Sequence, residues 1–383
     1  SGWAGASPRW SLAPARFVSI KQFARGGGAV LLLAQRSRHS WPGSLAGPCR
    51  QAPFSLGLSP ATTPPVLMQV FMTDCFVADL VQAATQDSRL VLLAAEAGLP
   101  GLSEFARQFP ERFFAWPTAE PRLIQQAVGM ALSGLKPVVC APSTAWATRC
   151  LEVIEEQISR RRARVLLLGT PPADEGPRRA RHRHDLAFLR PLPHFALACP
   201  ADRDEWRSLL RAALSRLAPT YLRLPRELAE RVEAAPGEVR LGRVRALSVG
   251  TDVTLVATGE ALPRAVAAAR RLHAAGLSTG VVSCPTVKPL DQEFFLSAFD
   301  STRLVVTVED HGLLGGFGAA VAEWLADHPG RTARLLRLGI PELFTGEEAD
   351  EAGDASEPQH PLDPALIAQQ VLRQLRKRSR VAA

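Results

Sequence analysis

No aspartate or glutamate occurs in the first 67 positions of this 383-residue chain, although seven Lys or Arg do. That absence accounts for nearly all of the formal net charge of +8, because the remainder holds 38 basic and 37 acidic residues. A body this close to neutral lacks the basic footprint that DNA or RNA binding needs, so no nucleic-acid partner is expected. Long apolar runs are missing too. The run AVLLLA at 29–34 falls far short of the roughly 18 residues that span a bilayer, and no membrane role is expected. Six cysteines are scattered without a Cys-x-x-Cys pair, which argues against a zinc site. Cys140, Cys199 and Cys284 sit in or beside apolar runs, where a thiol acts as a small hydrophobe. A reducing, cytoplasmic setting follows, or an organelle if the first 67 residues are a transit peptide. There is no G-x-x-x-x-G-K-[ST]. The Gly-rich stretch HGLLGGFGAAVAEW (311–324) has Val321 where a dinucleotide fingerprint needs Gly or Ala, so a tight turn before a helix is the simpler reading.

What is present, 46% hydrophobic and 21% charged residues, is the composition of a globular protein, long enough for two domains and a tail. Residues 1–67, rich in Gly, Pro, Ser and Arg and without period, read as a disordered basic extension. They are either a transit peptide or sequence upstream of a start at Met68 or Met72. From residue 74, short apolar runs at 89–95, 136–141, 163–169, 194–200 and 219–225 alternate with helical stretches such as 120–133 and 202–217. A charged, irregular stretch at 226–247 reads as a linker. A second alternation follows, with strands at 252–259, 277–284, 303–310 and 333–339, helices at 260–275, 316–326 and 365–377, and an acidic loop at 345–360. The expected fold class is α/β, with two domains of mostly parallel sheet at 68–235 and 236–383.

Two features carry chemistry. In WPTAEPRLIQQAVGMALSG (116–134) a carboxylate, Glu120, opens a helix directly before Pro121. Pro in the first turn and an acid near the positive end of the dipole are ordinary helix starts, so local placement alone leaves a structural and a catalytic role open. RRARHRH (178–184) lies in a long loop between two strands of the first domain, where ligands of open α/β sheets bind, and its four Arg and two His suit a phosphate or carboxylate. RRRAR (160–164) reads as a solvated helix end.

Taken together, PERFFAWPTAEPRLIQQAVGMALSGLKPVV, DLAFLRPLPHFALACPADRDE, PTYLRLPR, VTLVATGEAL, TVKPLD and VTVEDHGLLGGFGAAVAEWL resemble the second half of the transketolase family, over about residues 70–340 and in the right order. That family includes 1-deoxyxylulose-5-phosphate synthase. The resemblance implies a pyrimidine-binding domain followed by a transketolase C-terminal domain. It makes Glu120 the group that contacts N1′ of the aminopyrimidine of thiamine diphosphate and exchanges a proton there. The aromatic that stacks on that ring falls on Ala145, which leaves Trp146, one place later, as the candidate. The family's Asp-Gly-Pro-Thr-His loop is replaced by DEGPRRARHRH. Arg179 stands where the His would be, so His182 and His184 are the loop's candidates for proton transfer. Arg179, Arg223 and Arg226 become candidate substrate-binding residues, with Arg226 where a substrate phosphate is gripped.

A Gly-Asp-Gly motif with a downstream Asn, which holds the cofactor's divalent cation in this family, is absent from the sequence. The resemblance therefore implies a separate N-terminal subunit that supplies the diphosphate and Mg2+ site, in an α2β2 assembly. The implied activity is transfer of a two-carbon ketol unit to an aldehyde, with an altered acceptor that an acidic carrier protein presents. Two other readings stay open: the β subunit of a 2-oxo acid dehydrogenase, and a catalytically silent assembly subunit.

Overall fold

The computed structural model describes residues 67–95, 101–116, 119–171, 184–225, 232, 239–341 and 360–379. The expected extension over 1–67 lies, apart from Leu67, outside the described residues. The first domain runs α1 (Leu67–Gln86), β1 (Leu90–Ala94), α2 (Leu102–Gln108), β2 (Phe113–Ala115), α3 (Glu120–Leu132), β3 (Lys136–Pro142) and α4 (Ser143–Ala147). It continues through α5 (Leu151–Val153), a π-helical turn at Ile154–Ser159, β4 (Leu166–Thr170), α6 (Asp185–Leu189), β5 (Ala196–Ala198), α7 (Arg203–Ser215) and β6 (Thr220–Arg223). Runs such as LVLLA in β1 and LLLGT in β4 are buried at every position, as strands covered by helices on both faces must be. Asp202 starts α7 by accepting the Glu205 amide at 2.9 Å, which satisfies one of the free N–H groups of a helix start.

The second domain contains β7 (Arg245–Ser248), β8 (Val253–Thr258), α8 (Leu262–Ala274), β9 (Thr279–Ser283), β10 (Thr286–Lys288) and α9 (Gln292–Ser301). After these come β11 (Leu304–Gly312), α10 (Phe317–Asp327), β12 (Arg334–Ile340) and α11 (Pro364–Ser379). Its sheet has the order β12-β11-β8-β9-β7, parallel except for β7 against β9. The end of the stretch read as a linker is thus an edge strand. Among the described residues no helix is long and apolar enough to cross a membrane.

The two sheets are not independent. The first has the order β10-β5-β6-β4-β3-β1-β2, and its outer strand β10 comes from the second domain, antiparallel to β5 with Thr286 opposite Ala198. TVKPLD (286–291) therefore begins with a crossover strand that closes an edge. One apolar cluster runs through both domains, from Val91, Val139 and Leu167 to Val256, Phe295, Phe317 and Trp324. Buried charge also crosses: Arg245 donates to Asp202 at 2.9 Å and lies 3.3 Å from Glu205.

Candidate active site

The first sheet places its chemistry at the carboxyl ends of its strands. Glu120 follows β2, Arg149 follows β3 through α4, the segment ending at His184 follows β4, and Arg223 is the last residue of β6. These strands are neighbours in the order β6-β4-β3-β1-β2, and this end of an open parallel sheet is where ligands bind.

Glu120 is the first residue of α3 and is only 5% exposed. Its carboxylate makes no hydrogen bond to the amides of its own helix among the described residues. Instead Oε1 accepts from Nη2 of Arg149, whose side chain is 62% exposed. A simple helix-starting role therefore does not describe it. Its charge is felt by its neighbours: burial first, and the Glu120 carboxylate second, push the Cys150 thiol up to about 12 against the pull of Arg149. Trp146 is fully buried, and its indole N–H donates to the Leu168 carbonyl at 3.2 Å. The indole is part of the core cluster and presents no face to a bound ring, so its expected stacking role gives way to a packing one. Ala145 is equally buried.

A second constellation was not foreseen from the sequence. Asp185, directly after His184, is fully buried. It accepts the Tyr221 hydroxyl and the Leu186 amide, the latter at 2.8 Å. Arg223, only 4% exposed, places Nε 3.2 Å from Asp185 and donates from Nη1 to Asp310 of β11 at 2.7 Å. Asp310 lies 3.3 Å from Nδ1 of His311, and Nε2 of His311 lies 2.7 Å from Glu309, which accepts the Gly318 amide at 3.0 Å. Six polar residues, all buried except the half-buried Asp310, thus form a chain from α6 to the first turn of α10. Burial opposes charge on Asp310, but Arg223 and His311 hold its carboxyl below the usual range. Burial would lower His311, yet the Glu309 charge and the hydrogen bonds to Asp310 and Glu309 lift it to about 9. The Phe317 amide also donates toward Nε2 at 3.1 Å, so this nitrogen faces both an N–H and the Glu309 carboxylate.

Arg223 is buried between these two carboxylates, a structural role that stands beside the one in substrate binding expected from the sequence. Two signals in the sequence could have found this chain: an acid at the head of DLAFLR, and three titratable residues together in EDH at the end of an apolar strand. His184 immediately precedes α6, and α6 packs on α4. Arg179, His182 and Arg226 lie outside the described residues. Among the described residues no group of three or more His, Cys, Asp or Glu is placed to hold a metal ion.

Residues 69–231 match the transketolase pyrimidine-binding domain, and residues 242–359 match the transketolase C-terminal domain. A protein of Methanocaldococcus jannaschii described as a transketolase C-terminal section is 32% identical over 309 residues, covering 78% of this chain and 94% of that protein. The chain belongs to the transketolase family. A 1-deoxy-D-xylulose-5-phosphate synthase of Geobacter sulfurreducens is 36% identical over 281 residues, covering 71% of this chain but 43% of that enzyme. The chain thus spans about two-fifths of the synthases it matches. Among solved structures, a split-gene transketolase described as an inactive β4 tetramer is similar, with a TM-score of 0.69, 29% identity, and cover of 79% of this chain and 97% of that one. The transketolase of Campylobacter jejuni, at 17% identity and a TM-score of 0.61 over 79% of this chain and 46% of its own, shares the fold. The family is thiamine-dependent and its members are transferases.

Proposed function

We propose that this chain is the second subunit of a two-subunit, thiamine-diphosphate-dependent transketolase, with residues 68–235 binding the pyrimidine and residues 236–383 forming the C-terminal domain. The observation that carries the reading is Glu120: a carboxylate 5% exposed, at the carboxyl end of the first sheet, whose polar contact among the described residues is a mostly exposed arginine rather than its own helix. Such a group fits the pyrimidine half of the cofactor, because a buried acid beside a ring nitrogen can hold a proton there and take it back. Bound, the cofactor supplies a carbanion equivalent at its thiazolium carbon. With the cofactor bound, Glu120 would hold and move the proton at N1′, His182 and His184 would serve proton transfer on the substrate side, and Arg179 and Arg226 would supply positive charge for an anionic substrate.

The donor set of the described residues does not fit the metal half, as no carboxylate cluster is present. We assign the Mg2+ and diphosphate site to a separate N-terminal subunit in an α2β2 enzyme. Two relatives support this division: the M. jannaschii C-terminal section, of nearly the same span, and the split-gene β4 tetramer, which is inactive. The reaction is transfer of a two-carbon ketol unit to an aldehyde. Titration calorimetry of the isolated chain with thiamine diphosphate and Mg2+ tests the division. Binding appears only after the N-terminal partner is added; tight stoichiometric binding by the chain alone overturns it.

A further inference from the structure

His184 stands at the start of a segment on which the second domain converges. Within the eight residues 185–192, three groups of that domain make direct contact and a fourth acts through Arg223. Arg190 donates from Nη1 and Nη2 to Glu323 of α10 at 2.6 Å each, and from Nε to the Gly315 carbonyl at 2.9 Å. Lys288 of β10 donates from Nζ to the carbonyls of Arg190 and Leu192 at 2.8 and 2.6 Å. Asp310 reaches Asp185 through Arg223. Gly315, at φ +71°, brings the turn so close that a Cβ there would lie 2.6 Å from that of Ala187.

The chemistry of these contacts is not that of ordinary domain packing. The apolar cluster shared by both domains already joins them without direction. The Arg190–Glu323 pair is ionic and bidentate, and Lys288 donates a charged group to two backbone carbonyls, which fixes position and angle as well as proximity. They end where the candidate site begins. We propose that the C-terminal domain is a positioning element for the active site, with Lys288, Asp310 and Glu323 as positioning residues that fix the backbone carrying His184. This rests on the reading of His184 as a site residue, and it gives the second domain, which carries none of the site candidates, a part in the reaction.

Glu323 allows the test, since its side chain is 60% exposed and its replacement leaves the core untouched. Hydrogen exchange of the full chain is followed at 184–192 in Glu323→Arg and in the swapped pair Arg190→Glu with Glu323→Arg. The single variant speeds exchange at 184–192 by about 10-fold or more, while β8 amides in the core keep their protection. In the enzyme assembled with its N-terminal partner, with hydroxypyruvate as ketol donor and glycolaldehyde as acceptor, kcat/KM falls by roughly 10- to 100-fold, the cost of a catalytic group displaced by about 1 Å. The swap recovers most of both losses, which a general loosening would not. Unchanged exchange in Glu323→Arg overturns the clamp, and faster exchange with unchanged kcat/KM overturns its role in positioning. Glu120→Gln in the same assay separates the two levels. If it keeps full turnover the thiamine reading falls by itself, and the exchange data still decide whether the second domain holds this segment.

Discussion

The guanidinium of Arg149 rests on the carboxylate of Glu120, joining an exposed side chain after α4 to a buried one at the start of α3. For Glu120 to meet a ring nitrogen, this arginine swings aside, and its exposure makes that inexpensive. Because the Arg149 head stays in water, the pair is expected to contribute about 1 kcal/mol, as surface ion pairs do, although its carboxylate is buried. Arg149→Ala therefore lowers the melting temperature by no more than about 4 °C, checked by calorimetric scanning. A larger fall would mean that the pair is a structural bond and not a displaceable cover.

Arg223 sits at the other extreme. Its removal leaves Asp185 and Asp310 facing each other in the interior with no cation between them. Breaking a buried pair from one side costs about 3–5 kcal/mol. Arg223→Met is expected to shift the urea midpoint accordingly. A loss below about 1 kcal/mol would show that the network relaxes around the gap.

His311 makes stability depend on alkaline pH. Its folded pKa, lifted to about 9, lies above the unfolded value of 6.5. The folded state therefore binds the proton more tightly, and the stabilisation is complete below pH 6.5 and disappears as pH rises through 9. The difference in unfolding free energy between wild type and His311→Gln should shrink across this window, by an amount on the order of a few kcal/mol. A constant difference between pH 6 and 10 contradicts the assignment of a buried imidazolium, about 9 being its expected midpoint.

Arg226 is the strongest remaining candidate for gripping an anionic substrate. A charge-assisted contact contributes about 1.5–3 kcal/mol, so Arg226→Ala raises KM by roughly 10- to 100-fold. The wild-type KM for a phosphorylated acceptor should also rise with salt. A KM that moves with neither change removes Arg226 from the site.

How far the sequence foretold this molecule differs from element to element. β1, β4, β8 and β11 were legible because a strand covered on both faces carries a largely apolar run, a local property. β2 and β10, three residues each, were not, because Phe113–Ala115 is only half-buried and Thr286–Lys288 becomes a strand by pairing with β5 across the chain. Glu120 was legible as a candidate through its family context, whereas its neighbour Arg149, 29 positions on, was not. The structural role of Arg223 was not legible, because a single arginine after a strand carries no mark of its partner, and Asp310 lies 87 positions away. Trp146 was assigned by a one-place offset, and α4 buries Ala145, Trp146 and Ala147 alike, so spacing along it does not separate a stacking side chain from a core one.

Turnover by Glu120→Gln, assembled with the N-terminal subunit, tests the central claim most directly. The amide keeps the size and much of the hydrogen bonding of the acid but cannot exchange a proton with the aminopyrimidine. Melting temperature and assembly serve as controls, and a purely structural carboxylate near the helix dipole would cost at most about 1 kcal/mol of stability with turnover intact. The account predicts an intact complex whose turnover of hydroxypyruvate and glycolaldehyde falls by roughly 100- to 10,000-fold, the usual contribution of an acid–base group. A correctly assembled Glu120→Gln enzyme that turns over at nearly the wild-type rate would contradict it.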